Sequence, residues 1–144
     1  MTPDVNVLLA ASRSDHPHHG NALGWLETAL DACEQGQTLV ILPMVASGFL
    51  RLATHPKVFS RPTPLTAALA FLNAVLKSPG VEMPVLGPEW PLFERLCAEQ
   101  NLTGNDIPDV WIAAAVRTGH EHLVTFDRGF KRLLGAGELT ILYA

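Results

Sequence analysis

Long hydrophobic runs are missing from this chain. Hydrophobic residues make up 48% of its 144 positions, yet no apolar stretch approaches the ~20 residues that a membrane span needs. Cysteine is scarce: Cys33 and Cys97 are the only two. They form no CxxC pair and no zinc-ligand spacing, which excludes a disulfide scaffold and a structural zinc site. Both read as buried thiols on helices. An excess of positive charge is missing as well. Ten Lys and Arg against fourteen Asp and Glu give a formal net charge of −4, which argues against a protein that simply coats nucleic acid. It leaves room for an enzyme that acts on RNA through carboxylates, because bound cations neutralise part of their charge. Internal repeats, linkers and low-complexity segments are lacking too, so residues 1–144 read as a single globular domain. Asp4 interrupts the N-terminus before any apolar run, so no signal peptide is expected and the chain reads as cytoplasmic.

What is present is an alternation of short apolar runs with amphipathic stretches. Val5–Ala11 is almost wholly apolar and is expected to be a strand buried on both faces of a parallel sheet. Ala22, Trp25, Leu26, Ala29, Leu30 and Cys33 form one helical stripe, which Gly36 ends. Thr38–Leu42 reads as a second strand. Pro43 opens a helix running to about Leu52, and Leu65–Leu76 is another. Val81–Leu86 is expected as an edge strand, because Pro84 cannot donate to a ladder. Helices follow at Pro88–Gln100 and Ile107–Thr118. His122–Phe126 and Thr140–Tyr143 read as strands, with a short helix around Phe130–Leu134 between them. The pattern predicts an α/β fold in three layers, a central and mostly parallel sheet with helices on both faces. Ligands in such sheets gather beyond the carboxyl ends of the strands.

Three acids stand out by position. Asp4 begins the first apolar run, Asp109 lies in the first turn of an apolar helix, and Asp127 directly follows a strand. Clustered carboxylates repel one another unless a cation lies between them, and Mg²⁺ and Mn²⁺ prefer such oxygens. Each acid also has an ordinary reading: Asp4 as a solvated terminal residue, Asp109 as the partner of Asp106 in a capping box, and Asp127 as a turn or cap residue. Spacing alone does not bring them together.

The fragments D-V-N-V-L-L-A at Asp4–Ala10, G-F-L-R-L-A-T-H-P at Gly48–Pro56, I-P-D-V-W-I-A-A at Ile107–Ala114 and L-V-T-F-D-R-G-F at Leu123–Phe130 resemble the PIN-domain family, and in particular its VapC toxins. The resemblance spans nearly the whole chain, with the fragments in family order. It implies a PIN-like fold and an Mg²⁺- or Mn²⁺-dependent endoribonuclease. It further implies a homodimer that is the toxin of a toxin–antitoxin pair, with a cognate VapB-like antitoxin. Asp4, Asp109 and Asp127 would be the catalytic, metal-binding acids. Thr125 and Asn6 match polar positions beside them, and both alternate in strand register with the acids.

The chain departs from the family at two places. The glutamate common on the helix after the second strand aligns with Ala46, and 42–53 contain no acid. A water could fill that position, Asp106 could help from the next loop, or the protein could bind RNA or a partner without cutting. Gly129 replaces an acid frequent in the family. Arg51, His55, Lys57 and Arg61 form the densest basic region and are read as an RNA-facing edge. His16, His18 and His19 lack a ligand spacing and are expected to be solvated or capping. Trp25, Trp90 and Trp111 are expected to pack in the core or an interface, with Trp111 turned away from Asp109.

Overall fold

A computed structural model describes residues 1–143. Five short strands and six α-helices alternate in the order β1 (Thr2–Pro3), α1 (Val5–Ser12), α2 (His19–Glu34), β2 (Leu39–Val40), α3 (Pro43–Ala53), α4 (Leu65–Leu76), β3 (Val81–Glu82), α5 (Trp90–Glu99), α6 (Ile107–Thr118), β4 (Leu123–Thr125) and β5 (Leu139–Ile141). All pairings are parallel: β1 with β4, β4 with β5, and β2 with β3. The two sheets meet where the Val40 N–H donates to Met1 O at 2.8 Å. Thr2 and Asp4 donate to β4 through His122 O and Val124 O. Pro3, which has no N–H, falls on the alternate position that faces away from β4. Helices cover the sheet on both faces, as the alternation predicts. Proline stands in the first turn of α3, α5 and α6, where a missing donor costs nothing.

One expected element is of the wrong type. Val5–Ala11 is not a strand; β1 ends at Pro3, and the apolar run is helix α1. Its burial was read correctly, since Val7, Leu8, Leu9, Ala10 and Ala11 all lie in the core. An apolar run this short has no periodicity to separate a buried helix from a buried strand. Asp4 decides the matter: its backbone is extended and its Oδ1 accepts from the Val5 N–H at 2.7 Å, the geometry of a helix N-cap. Asn6 therefore lies on a helix and shares no strand register with the acids.

The core centres on α1, which packs against α2, α3 and β4, while α5 packs on α6. Cys33 is buried and Cys97 half-buried, both unpaired. Arg13, at the end of α1, is 8% exposed. Its guanidinium lies 3.7 Å from the Phe59 ring centroid and donates to Asp15, Thr63 Oγ1 and Arg61 O. It thereby ties the irregular segment after α3 to the core. No helix among the described residues is long and apolar enough to cross a membrane.

Candidate active site

Parallel pairing of β1 with β4 sets Pro3 beside Val124, so Asp4 and Thr125 follow at adjacent carboxyl ends. Asp127 comes two residues after Thr125, and the first turn of α6 brings in Asp109. All three acids line one cleft of about 540 Å³, together with Asn6 and residues of α3 and α6.

Thr125 organises this end of the cleft. It is fully buried. Its hydroxyl donates to Asp4 Oδ2 at 2.7 Å and accepts from the Asp127 N–H at 3.0 Å and from Asn6 Nδ2 at 3.2 Å. One proton and two lone pairs are thus all used. Asn6 Oδ1 accepts from the Phe126 N–H at 3.3 Å. Asp4, 6% exposed, has one oxygen held by Val5 N–H and the other by Thr125. Asp127 is exposed, and its Oδ1 accepts from the Gly129 N–H at 2.7 Å. It therefore caps the short 3-10 turn Arg128–Arg132 as well as lining the cleft. Gly129, where the family often has an acid, holds Asp127 through its backbone; a Cβ there would stand 3.0 Å from Asp127 Oδ1.

Electrostatics set these acids apart. Burial pushes the Asp4 carboxyl above its ordinary value, against the hydrogen bonds from Thr125 and Val5, and the Asp127 charge adds to the rise. Asp109 is raised to about 6 by burial and by the charges of Asp4 and Asp127, with Arg132 working the other way. Among the described residues no group donates a hydrogen bond to the Asp109 carboxylate. Carboxylate charges that raise a neighbouring carboxyl in a shared cleft mark a site short of positive charge. Such an all-oxygen donor set suits Mg²⁺ or Mn²⁺. Among the described residues no three His, Cys, Asp or Glu side chains form a ready-made cage.

Other expected residues fall differently. Asp106 does not cap α6 through its side chain; it pairs with Arg132 at 2.9 Å, next to the cleft but outside its lining. The α3 residues on the cleft are Met44, Ser47, Gly48, Arg51 and Leu52, one helical stripe. Ala46 is not among them: it is 6% exposed and belongs to the core. The cleft face of α3 carries Ser47 and Gly48 where position 46 turns into the core, so that face holds no acid. At Gly48 a Cβ would come within 2.9 Å of Val5 Cγ2, so α1 and α3 approach closely there. Arg51 is exposed on the cleft without an ion pair among the described residues, whereas His55 and Lys57 lie outside its lining; His55 Nδ1 accepts from the Lys57 N–H in a local turn. Arg61 contributes its carbonyl to Arg13.

The histidines and tryptophans are resolved too. His18 stacks on Phe126 at 4.7 Å between centroids, and His19 Nδ1 lies 2.9 Å from Ala10 O. Neither lines the cleft that holds the acids. Trp25 packs against the core, while Trp90 is exposed beside Phe93. Trp111 is 39% exposed and is not packed into the core as expected. It lines the cleft, and its indole N–H donates to Glu89 Oε1 at 3.1 Å. Its exposure therefore follows from its face of α6 and from the Glu89 contact. Sequence reasoning passed over Glu89 and Arg132, and neither carries a motif that marks it.

The PIN domain family profile matches residues 1–135. The chain belongs to the PIN domain family. Among characterised PIN domains it is similar to Ribonuclease VapC31 of Mycobacterium tuberculosis, at 38% identity over 130 residues, covering 90% of this chain and 89% of that protein. Ribonuclease VapC25 of the same organism is 37% identical over 130 residues, with the same coverage of 90% and 89%. The fold of this PIN domain matches the crystal structure of VapBC2 from Rickettsia felis bound to a DNA fragment from their promoter. The TM-score there is 0.66 at 18% identity, covering 97% of this chain and 96% of that one.

Proposed function

We propose that this PIN domain is a metal-dependent endoribonuclease and the toxin of a VapBC-like toxin–antitoxin pair, acting in the cytoplasm as a homodimer with a cognate VapB-like antitoxin. The observation that carries the enzymatic reading is the convergence of Asp4, Asp109 and Asp127 on one cleft, in a chain 38% identical to a VapC ribonuclease.

Asp4, Asp109 and Asp127 would hold Mg²⁺ or Mn²⁺. Such an ion supplies charge that offsets the scissile phosphate and acidifies water. The chain's own residues do the rest. Val5 N–H and Thr125 Oγ1 fix the two oxygens of Asp4, so that carboxylate is oriented before any ligand arrives. Gly129 N–H orients Asp127 in the same way. Asp109, unrestrained by hydrogen bonds, is free to turn toward a ligand or a water. Arg51 offers a planar fork to the phosphate oxygens at the cleft edge. A water oxygen bonds to phosphorus as the ester P–O bond breaks; the water gives up one proton and the departing oxygen takes up one, so the step consumes one water and leaves the proton count unchanged.

The test is cleavage of single-stranded RNA by the purified protein with Mg²⁺, Mn²⁺ or EDTA. Cleavage with either metal, its loss in EDTA, and its loss in Asp4→Asn with the fold retained are expected. Asparagine keeps a capping oxygen for α1. No cleavage with any divalent metal by folded protein would overturn the enzymatic reading. A second reading, an RNA- or partner-binding module with weakened catalysis, is favoured by one observation: the cleft side of α3 carries Met44, Ser47, Gly48 and Arg51 and no acid. Metal-independent RNA binding without cleavage would select it.

A further inference from the structure

The cleft has two chemically different parts. Its acids gather at the strand ends, while Met44, Leu52, Ile107, Pro108, Trp111 and Ile112 supply an apolar wall. Trp111 is the unusual member of that wall. Its α6 neighbours Ile112, Ala113, Ala114, Ala115 and Val116 are all buried, yet Trp111 is 39% exposed.

Trp111 is also fixed in place. Glu89 is 3% exposed, and its carboxylate accepts from the Gly87 N–H at 2.7 and 3.1 Å as well as from the indole at 3.1 Å. The polar edge of the ring is therefore satisfied by a buried charge, and the flat apolar surface is what remains for contact. A ring held this way loses little freedom when a ligand lies on it. Aromatic faces presented beside a phosphate-binding site are how proteins seat unpaired bases, because every base has a π-face to stack. Arg51, across the cleft on α3, supplies the cation for the backbone that links such a base to the acids.

We infer that Trp111, held by Glu89, is the stacking platform for the base of the nucleotide next to the scissile phosphate, so that the cleft takes unpaired RNA. This rests on the ribonuclease reading above. Glu89 is a positioning residue and Trp111 a binding residue; neither takes part in the bond-breaking step. A base within a duplex is stacked on its neighbours and cannot lie on the indole, so double-stranded RNA is excluded by the same contact.

Two measurements test this. The first compares KM and kcat for a short single-stranded RNA in Trp111→Ala and Trp111→Phe. Stacking on an aromatic side chain corresponds to a roughly 5- to 150-fold effect per base, so Trp111→Ala is expected to raise KM within that range with kcat changed less than about threefold. Trp111→Phe keeps a ring and is expected to retain most of the affinity. The second measurement is quenching of tryptophan fluorescence by the same RNA in EDTA. Quenching is expected in the parent, is lost in Trp111→Phe, and is absent with duplex RNA. An unchanged KM in Trp111→Ala overturns the inference. So does a fall in kcat alone, or a defect confined to inhibition by an antitoxin peptide, which would make the wall a protein-docking surface. Should Trp111→Ala fail to fold, the phenylalanine variant and the quenching carry the test. If the parent cleaves no RNA, the ribonuclease reading fails, while quenching by unpaired RNA still decides the role of Trp111.

Discussion

Replacing Thr125 with valine removes one hydroxyl and leaves the side-chain shape nearly unchanged, so it isolates what that hydroxyl does. Three hydrogen bonds end on it: to Asp4 Oδ2, from Asp127 N–H and from Asn6 Nδ2. The bond to the carboxylate is charge-assisted, worth about 1.5–3 kcal/mol, and each of the others about 1 kcal/mol. Their sum overstates the loss, because they share one atom and Asp4 can take up a proton once its donor is gone. A net destabilisation of about 2–4 kcal/mol is expected for Thr125→Val, read as a lower urea midpoint at unchanged slope. The functional effect has a definite sign. The Thr125 hydrogen bond lowers a carboxyl that burial has already raised, so its loss raises Asp4 further and favours the protonated form. Mn²⁺ affinity, measured by calorimetry, should therefore fall, and fall most steeply at the acidic end of the pH range. Thr125→Ser keeps the hydroxyl and should retain metal affinity, losing only the stability of a buried methyl. Equal behaviour of the serine and valine variants would refute the reasoning, since packing and not the hydroxyl would then be what matters.

Asp109→Asn should stabilise the metal-free protein while abolishing cleavage. The folded-state value of about 6 lies above the ordinary 3.8, so the protonated form is the favoured one and its stabilisation is lost as pH rises through about 6. Discounted for partial exposure, the gain at pH 7 is up to about 2 kcal/mol, and the melting temperature of EDTA-treated parent protein should rise from this group as pH falls from 7 toward 5; an asparagine variant that melts lower sinks the argument. An acid restored at the cleft should act by place: Ser47→Glu is expected to bind Mn²⁺ at least as tightly as the parent with the fold intact, because Ser47 is exposed on the cleft. Ala46→Glu puts a charge into the core at a cost of about 3 kcal/mol or more without gaining affinity, by analogy with other unpaired buried charges, and the reverse pattern in calorimetry and urea unfolding would show that the wrong face of α3 had been identified.

The places where sequence reading succeeded and failed have separable causes. Proline in the first turns, apolar stripes and Gly36 marked the helices because these signals are local. Asp127 was legible both as a candidate ligand and as a turn residue; it caps the turn Arg128–Arg132 and lines the cleft as well. Val5–Ala11 was misread because its burial is uniform, so no periodicity betrayed a helix; only the Asp4 cap did. Ala46 was assigned from alignment to a fragment, a register that fixes position along a helix and says nothing of which face meets the cleft. Trp111 was expected to pack in the core or an interface, and its exposure on the cleft goes with a contact to Glu89, 22 positions away, that no local pattern marks.

By itself the sequence determined the family, the parallel α/β order and the identity of three acids, because these rest on residue order and short-range pattern. Tertiary structure alone decided that Asp4, Asp109 and Asp127 share one cleft and that a single buried hydroxyl ties Asp4 to Asp127. It also decided that Ser47 and Gly48, and not Ala46, stand on the cleft face of α3, and that Glu89 holds the indole of Trp111. These are contacts across 22 to 121 positions, made by strands pairing and helices leaning on one another. No local propensity encodes them.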